Sequence, residues 1–394
     1  MAEVTVLAAT GNMMVAEAFR QAAPDVIAAY PITPQTAIVE NYAKYVAEGR
    51  VHTEFVAVES EHSALSACVG ASAAGARVVT ATSSQGLALM YEELHIAAGM
   101  RLPIIMANAN RALSAPINIH GDHSDVMGGR DSGWIILFAE TAQEAYDNSI
   151  IAFRVAEHPA VQLPVMTTLD GFITTHAMER CELLDDGTVE AYVGKRRPQN
   201  PLIGGAAPVG HGMFASLGGT YFELKQAQRR AVCGSAPHIL TEGQKWAAVC
   251  GRDFDFIDSF ACDDADYILV VLGSAAGNAR VVAKELRAAG IKAGVAKIRV
   301  FRPFPASELR DVLQGAKAVG ILDRSDSFGA PYAPVGLDVR TALYDLDTRI
   351  PTRNYVYGLG GADVTLDAMR QAFSELQSLA AGHLDQGLSY LGTR

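Results

Sequence analysis

The chain has 394 residues, with 43 acidic against 32 basic side chains and a formal net charge of −11, a balance that argues against a nucleic-acid or anionic-membrane partner. Hydrophobic residues make up 49% and charged residues 19%, which is globular composition and excludes a disordered chain. At roughly 100 to 200 residues per domain the length predicts two domains, placed here at 1–240 and 241–394. From Gly11 to Asp170, short apolar runs alternate with helical patterns, the signal of a parallel α/β sheet. The predicted strands are Val26 to Tyr30, Glu54 to Val58, Arg77 to Ala81, Ile104 to Ala107 and Val161 to Thr167, apolar as strands covered on both faces must be. Ile38, Tyr42 and Val46 recur every fourth residue and predict a helix ending at Gly49. Thr141 and Glu144 are spaced as a capping box at the start of another.

The stretch from Arg196 to Gly219 holds three prolines and many glycines and reads as a linker or long loop. Beyond about Ala261 the rhythm resumes, with Tyr267 to Leu272 as strand, Gly277 to Ala289 as helix, then strands Ala293 to Val300 and Ala318 to Leu322. This predicts a second, smaller α/β domain. Lys297, Arg299 and Arg302 alternate with apolar residues as on an exposed strand. The start, MAEVTVLAATGN, does not read as a secretory signal. The most apolar run, Tyr267 to Ala276, is far shorter than the roughly 18 residues of a membrane helix. The five cysteines are odd in number and scattered, without any CxxC pair, so they are expected to be reduced thiols of a cytoplasmic protein. Any iron-sulfur cluster serving the chain is then expected on another polypeptide.

Four loops fall just past strand ends, where an open parallel sheet binds its ligands. In Tyr30-Pro31-Ile32-Thr33-Pro34, two prolines hold one hydroxyl; Thr33 is either a ligand group or a helix cap. Glu59 and Glu61 follow an apolar strand and open an Ala/Gly-rich helix, where acids ordinarily serve the helix dipole. Ser83-Ser84-Gln85-Gly86 is a small polar turn whose N–H groups suit an anion. Arg111 offers a planar fork to a small carboxylate or to a structural ion pair. His120, Asp122, His123 and Asp125 invite a metal reading, but their spacing matches no metal motif, and no metal site is assigned. Gly210 to Ala215 imitates a dinucleotide fingerprint without a strand ahead of it, and Gly273 to Gly277 suits a tight turn into a helix.

Taken together, YPITPQT, VESEHSAL, TATSSQGLALM, HGDHSDVM, KIRVFRPFP, LDRSDSFGA and YVYGLGG, in this order along nearly the whole chain, resemble the α subunit of 2-oxoacid:ferredoxin oxidoreductases, the pyruvate:ferredoxin oxidoreductase type. The resemblance implies a pyrimidine-type thiamine diphosphate-binding domain followed by a transketolase-C-terminal-like domain. It implies oxidative decarboxylation of a 2-oxoacid to acyl-CoA and CO2, with pyruvate the first expectation and phenylglyoxylate or another 2-oxoacid next. Thiamine diphosphate would be shared with a partner subunit. Mg²⁺ and [4Fe-4S] clusters would lie on β, γ and δ type partners, with coenzyme A as cosubstrate and ferredoxin or another acceptor taking the electrons.

Carried over by motif, Glu61 would hold a proton at N1′ of the cofactor's aminopyrimidine and so favour its imino form. Glu59 is the rival for this role. Thr33 and Arg111 would grip the substrate, with Tyr30, Pro31 and Ile32 beside them, and Ser84 and Gln85 would meet the cofactor. One departure is Gly360-Gly361-Ala362, where many relatives carry Arg after the glycines; it puts a local contact in doubt. A non-catalytic scaffolding subunit of the same complex is the alternative.

Overall fold

The computed structural model describes residues 4–215 and 217–392. Its first sheet has seven strands, in the spatial order Val300–Arg302, Ile135–Ala139, Val165–Asp170, Ile104–Asn110, Val78–Thr82, Val26–Ala29 and Glu54–Ala57. All but the first of these run parallel. The four predicted strands up to Ile104 appear within three residues of their expected ends, whereas the fifth starts later, at Val165, after Pro164. Ile135–Ala139, wholly buried, is an addition: a five-residue apolar run has no period that separates strand from buried helix. A two-stranded antiparallel ribbon, Val4–Ala9 with Glu179–Leu184, is a second one.

Helices cover both faces of the sheet. Glu61–Ala74 is rich in small residues, and buried Ala64, Leu65, Cys68 and Ala73 bring it close to the strands. The Cys68 thiol reaches the Ala28 and Val79 carbonyls, and burial pushes its pKa up to about 12. Ser60 caps this helix by accepting from Ser63 N, and Gly75, at φ 111°, ends it.

The second sheet has six strands, in the order Gly387–Tyr390, Thr352–Val356, Ala318–Asp323, Tyr267–Val271, Ala293–Ile298 and antiparallel Ile257–Phe260. Helices Ala275–Ala288 and Leu366–Ala380 pack over it, the latter capped by Thr365. The two sheets share a chain crossing: after Ile298 the backbone leaves the second sheet, and Val300–Arg302 pairs with the edge of the first. The expected division at 240 and 241 falls inside the helix Ala236–Cys250. Trp246 of that helix donates to Asp147 at 2.8 Å and packs beside Tyr192, on the first unit.

The crossing overturns the reading of Lys297 and Arg299 as groups on an exposed strand. Lys297 is 1% exposed and sits among Glu140 at 2.8 Å, Glu144 at 2.5 Å and Asp258 at 3.0 Å. Arg299 is 6% exposed, donates to Asn148, and lies over the Phe254 ring. The physical reason is that both faces of this strand meet protein, so its cations alternate with apolar groups inside the fold. Glu144 consequently departs from a full capping box. Thr141 accepts from Glu144 N, but the Glu144 carboxylate takes the Glu140 N–H and the Lys297 ammonium.

Candidate active site

The carboxyl ends of neighbouring strands line up the loops singled out above: Tyr30 to Thr33 after Val26–Ala29, Glu59 to Glu61 after Glu54–Ala57, Ser83 to Gly86 after Val78–Thr82, and Arg111 after Ile104–Asn110. Parallel pairing puts every such loop on one edge. Buried Gln35 ties two of them, its amide donating to the Ala81 carbonyl at 2.6 Å and the Tyr30 carbonyl at 3.2 Å. Asn12 reaches the Pro34 carbonyl at 2.8 Å.

The two carboxylates separate sharply. Glu59 is exposed and accepts from the Ser63 hydroxyl at 2.6 Å, a bond that lowers its pKa. Glu61, the first residue of its helix, is only 7% exposed, and no hydrogen bond or ion pair meets its carboxylate among the described residues. Gly86 lies against it: a Cβ there would stand 2.7 Å from Glu61 Oε1 and 2.5 Å from Thr82 Oγ1. Thr82 Oγ1 is itself buried without a partner. A desolvated carboxylate with an open lone pair, beside a residue that has no side chain, is a cradle for a flat polar group that offers a proton. That donor set fits the aminopyrimidine edge of thiamine diphosphate.

Arg111 is 6% exposed, and burial lowers its pKa, opposed by Asp125. Its Nε donates to the Asn118 carbonyl at 3.0 Å and its Nη1 to the Thr33 carbonyl at 2.9 Å. Two donors therefore lock the guanidinium to its own loops. Nη2, together with the second Nη1 proton, is left for an end-on carboxylate. Thr33 is exposed, like Tyr30 and Pro31, while Ile32 is half-buried. The structure thus brings Thr33 and Arg111 together.

Ser84 takes another place from the one expected. It is fully buried, its hydroxyl 2.6 Å from both the Ala112 carbonyl and Gln85 Oε1, to one of which its single proton is donated, so it fixes the loop instead of facing a ligand. Gln85 is half-buried beside it. The organiser of both loops is Asp125, which the sequence reading offered only to a metal. Asp125 Oδ2 accepts from Ser84 N at 2.9 Å, Arg111 N at 3.1 Å and Asn108 Nδ2 at 3.1 Å. His123 instead donates to Asp170, and Asp122 accepts from Ser124 and from Gly360 N. The side chains of Asp122, His123 and Asp125 thus turn to different partners, and the four candidates form no group close enough to share one ion among the described residues.

Asp170 joins the two sheets at this edge. Its oxygens accept from His123 at 2.7 Å, Ser274 N at 2.9 Å, Ser274 Oγ at 2.5 Å and Arg324 at 3.2 Å. Burial alone would raise its pKa, but His123, Arg324 and Ser274 outweigh that and hold it far below the usual carboxylate range. Gly273, at φ 64°, is the turn that lets Ser274 approach, since a Cβ there would meet Asp170 Oδ2 at 2.8 Å. The Gly360 backbone carbonyl accepts from Asn118, the residue that also holds Arg111.

A mostly parallel α/β sheet that carries at a strand end a buried acid without a partner among the described residues, joined to a second mostly parallel sheet, defines the chain as a two-sheet α/β protein. The family model described as pyruvate flavodoxin/ferredoxin oxidoreductase, thiamine diphosphate-binding, matches residues 17–235, and that of pyruvate:ferredoxin oxidoreductase core domain II matches 265–369. The chain is 49% identical over 388 residues to pyruvate synthase subunit PorA of Thermotoga maritima, covering 98% of both chains. It is 41% identical to the PorA of Pyrococcus furiosus, over 97% of this chain and 96% of that one. Ketoisovalerate oxidoreductase subunit VorA of Pyrococcus abyssi is 38% identical, with the same two coverages. The chain belongs to the pyruvate flavodoxin/ferredoxin oxidoreductase family and is of its α-subunit type.

Two solved structures share the fold. The 2-oxoglutarate:ferredoxin oxidoreductase from Magnetococcus marinus aligns with a TM-score of 0.71 at 19% identity, over 94% of this chain and 65% of that chain. A split-gene transketolase aligns with a TM-score of 0.55 at 14% identity, over 94% and 98%. No helix among the described residues is long and apolar enough to cross a membrane.

Proposed function

We propose that this chain is the pyrimidine-side subunit of a heteromeric, thiamine diphosphate-dependent 2-oxoacid:ferredoxin oxidoreductase, with pyruvate as substrate and coenzyme A as acyl acceptor. The observation that carries the reading is Glu61, buried and partnerless against Gly86. When bound, thiamine diphosphate supplies the carbon chemistry of decarboxylation. Glu61 holds a proton at the pyrimidine N1′, in a setting where no protein donor competes for its oxygen. Arg111 receives the substrate carboxylate end-on, its orientation fixed by Thr33 and Asn118. The Thr33 hydroxyl donates to a substrate oxygen beside it, and Tyr30, Pro31 and Ile32 wall the same loop. Gln85 lines the cofactor side.

Mg²⁺ and the [4Fe-4S] clusters belong to β, γ and δ type partners, a reading supported by the five thiols, all free and without a CxxC spacing. The same free thiols favour the reducing cytoplasm. Ferredoxin takes the electrons. The test is Glu61→Gln in the purified complex, assayed anaerobically for coenzyme A-dependent viologen reduction with pyruvate, 2-oxoisovalerate, 2-oxoglutarate and phenylglyoxylate in parallel. The wild-type complex turns over pyruvate best, and the variant loses about 10²- to 10⁴-fold. Unchanged turnover in Glu61→Gln would assign the chain to a scaffolding role.

A further inference from the structure

We infer that the glycine turn at 358–361, which follows strand Thr352–Val356 of the second sheet, is a positioning element for Arg111 and so sets the affinity for the substrate carboxylate. This rests on the reading of Arg111 as the group that receives that carboxylate. Between Leu113 and Gly121 the chain leaves the core: residues 114–117, 119 and 120 are exposed, and Asn118 is half-buried. An excursion that buries so little surface is held by its hydrogen bonds more than by packing. Three of those bonds come from the other sheet. Asn118 Nδ2 donates to the Gly360 carbonyl at 2.9 Å, Gly360 N donates to Asp122 Oδ2 at 3.0 Å, and Gly361 N donates to the Gly121 carbonyl at 2.9 Å.

Asn118 passes this placement to the guanidinium. Its backbone carbonyl accepts from Arg111 Nε at 3.0 Å, while its side-chain oxygen accepts from His120 N at 2.7 Å. Asp122 fixes the other limb of the excursion: its Oδ1 accepts from Ser124 N at 2.9 Å and Ser124 Oγ at 2.6 Å, and Ser124 Oγ accepts from Leu113 N at 2.9 Å. The turn needs glycine for two reasons. Gly358, Gly360 and Gly361 stand at φ 60°, 57° and 79°, a region side chains disfavour. A Cβ on Gly360 would also stand 2.4 Å from Asn118 Nδ2, and one on Gly361 2.3 Å from His120 Cβ. The root of the turn is tied to the junction of the sheets, because Arg324 Nε donates to the Gly358 carbonyl at 3.1 Å and Arg324 Nη1 to Asp170 at 3.2 Å. Moving Gly360 therefore moves Asn118, and with it one of the two bonds that aim the guanidinium, the other being Nη1 to the Thr33 carbonyl. A misaimed fork weakens the hold on the substrate before chemistry begins, which is read in KM more than in kcat.

The test compares Gly360→Ala, Asn118→Ala, their double variant and Arg111→Gln in the purified complex, by anaerobic coenzyme A-dependent viologen reduction with pyruvate. Gly360→Ala and Asn118→Ala each raise the KM for pyruvate about tenfold, with kcat within about twofold of the wild type and the KM for coenzyme A unmoved. Asn118→Ala does so at the wild-type melting temperature, which a contact that only joins the two units would lower. The double variant is no worse than Asn118→Ala alone, since that change removes the atom a Cβ at 360 would strike. An unchanged pyruvate KM in Asn118→Ala and Gly360→Ala, while Arg111→Gln raises it, would overturn this inference and leave the reading of Arg111 standing. An unchanged KM in all three would remove both. A lowered melting temperature or kcat at constant KM, or effects that multiply in the double variant, would likewise overturn the positioning role.

Discussion

Asp125→Asn separates the stability of this chain from its chemistry. Asp125 is 3% exposed, and burial pushes its carboxyl from an ordinary 3.8 up to about 6, against the hydrogen bonds from Ser84 N, Arg111 N, Asn108 and Val126 N. The folded chain therefore holds this proton more tightly than the unfolded one. Its contribution is fully present below the unfolded pKa and is lost as pH rises through the folded value. Each pH unit of separation is worth about 1.36 kcal/mol, so the loss between about pH 4 and pH 7 amounts to about 3 kcal/mol. Asparagine does not ionise and escapes it. Urea denaturation of both proteins across that range shows the variant gaining about 3 kcal/mol relative to the wild type, a comparison in which the other titrating groups cancel. The amide also presents one oxygen where the carboxylate presented two, so the Ser84 and Arg111 loops lose definition. A KM for the 2-oxoacid raised about tenfold in the assembled complex follows from one weakened charged hydrogen bond. A stability difference that stays constant from pH 4 to pH 7 would refute the assignment of the raised pKa to burial.

The other expectations are briefer. Gly86→Ala drives a Cβ to within 2.7 Å of Glu61 Oε1 and 2.5 Å of Thr82 Oγ1, so turnover falls about 100-fold with the fold intact; wild-type turnover would show that the cradle is not used. Asp170→Asn weakens bonds to His123, Ser274 and Arg324 and leaves Arg324 buried without its counter-charge, at a cost of about 3 kcal/mol in denaturant. Because the Asp170 pKa is depressed, that contribution is complete above about pH 4 and fades as the pH falls below it; a difference that grew on acidification would contradict the sign. For Lys297, burial alone would lower the pKa, yet Glu144, Glu140 and Asp258 raise it. Lys297→Met strands Glu144 and lowers stability by about 3 kcal/mol, and an unchanged denaturation midpoint would remove this cluster from the contacts that hold the two sheets together.

The order of apolar runs was enough to determine a parallel α/β sheet, because strands covered on both faces must be apolar and their spacing leaves room only for crossover helices. The same logic located the loops at Thr33, Glu61, Gly86 and Arg111, since parallel strands deliver their carboxyl ends to one edge. The difference in burial between Glu59 and Glu61 needed the tertiary structure. They are two residues apart, and only the packing of the helix against Gly86 buries one while the other stays in water. Lys297 and Arg299 were misread because alternation of cation and apolar residue looks the same on a solvent-facing strand and on a strand whose polar side meets Glu140, Glu144 and Asn148, more than 150 positions away. Asp125 and Asp170 carry the same lesson. Burial and hydrogen bonding are properties of what the chain folds against, and these two carboxylates acquire theirs from elements far off in sequence.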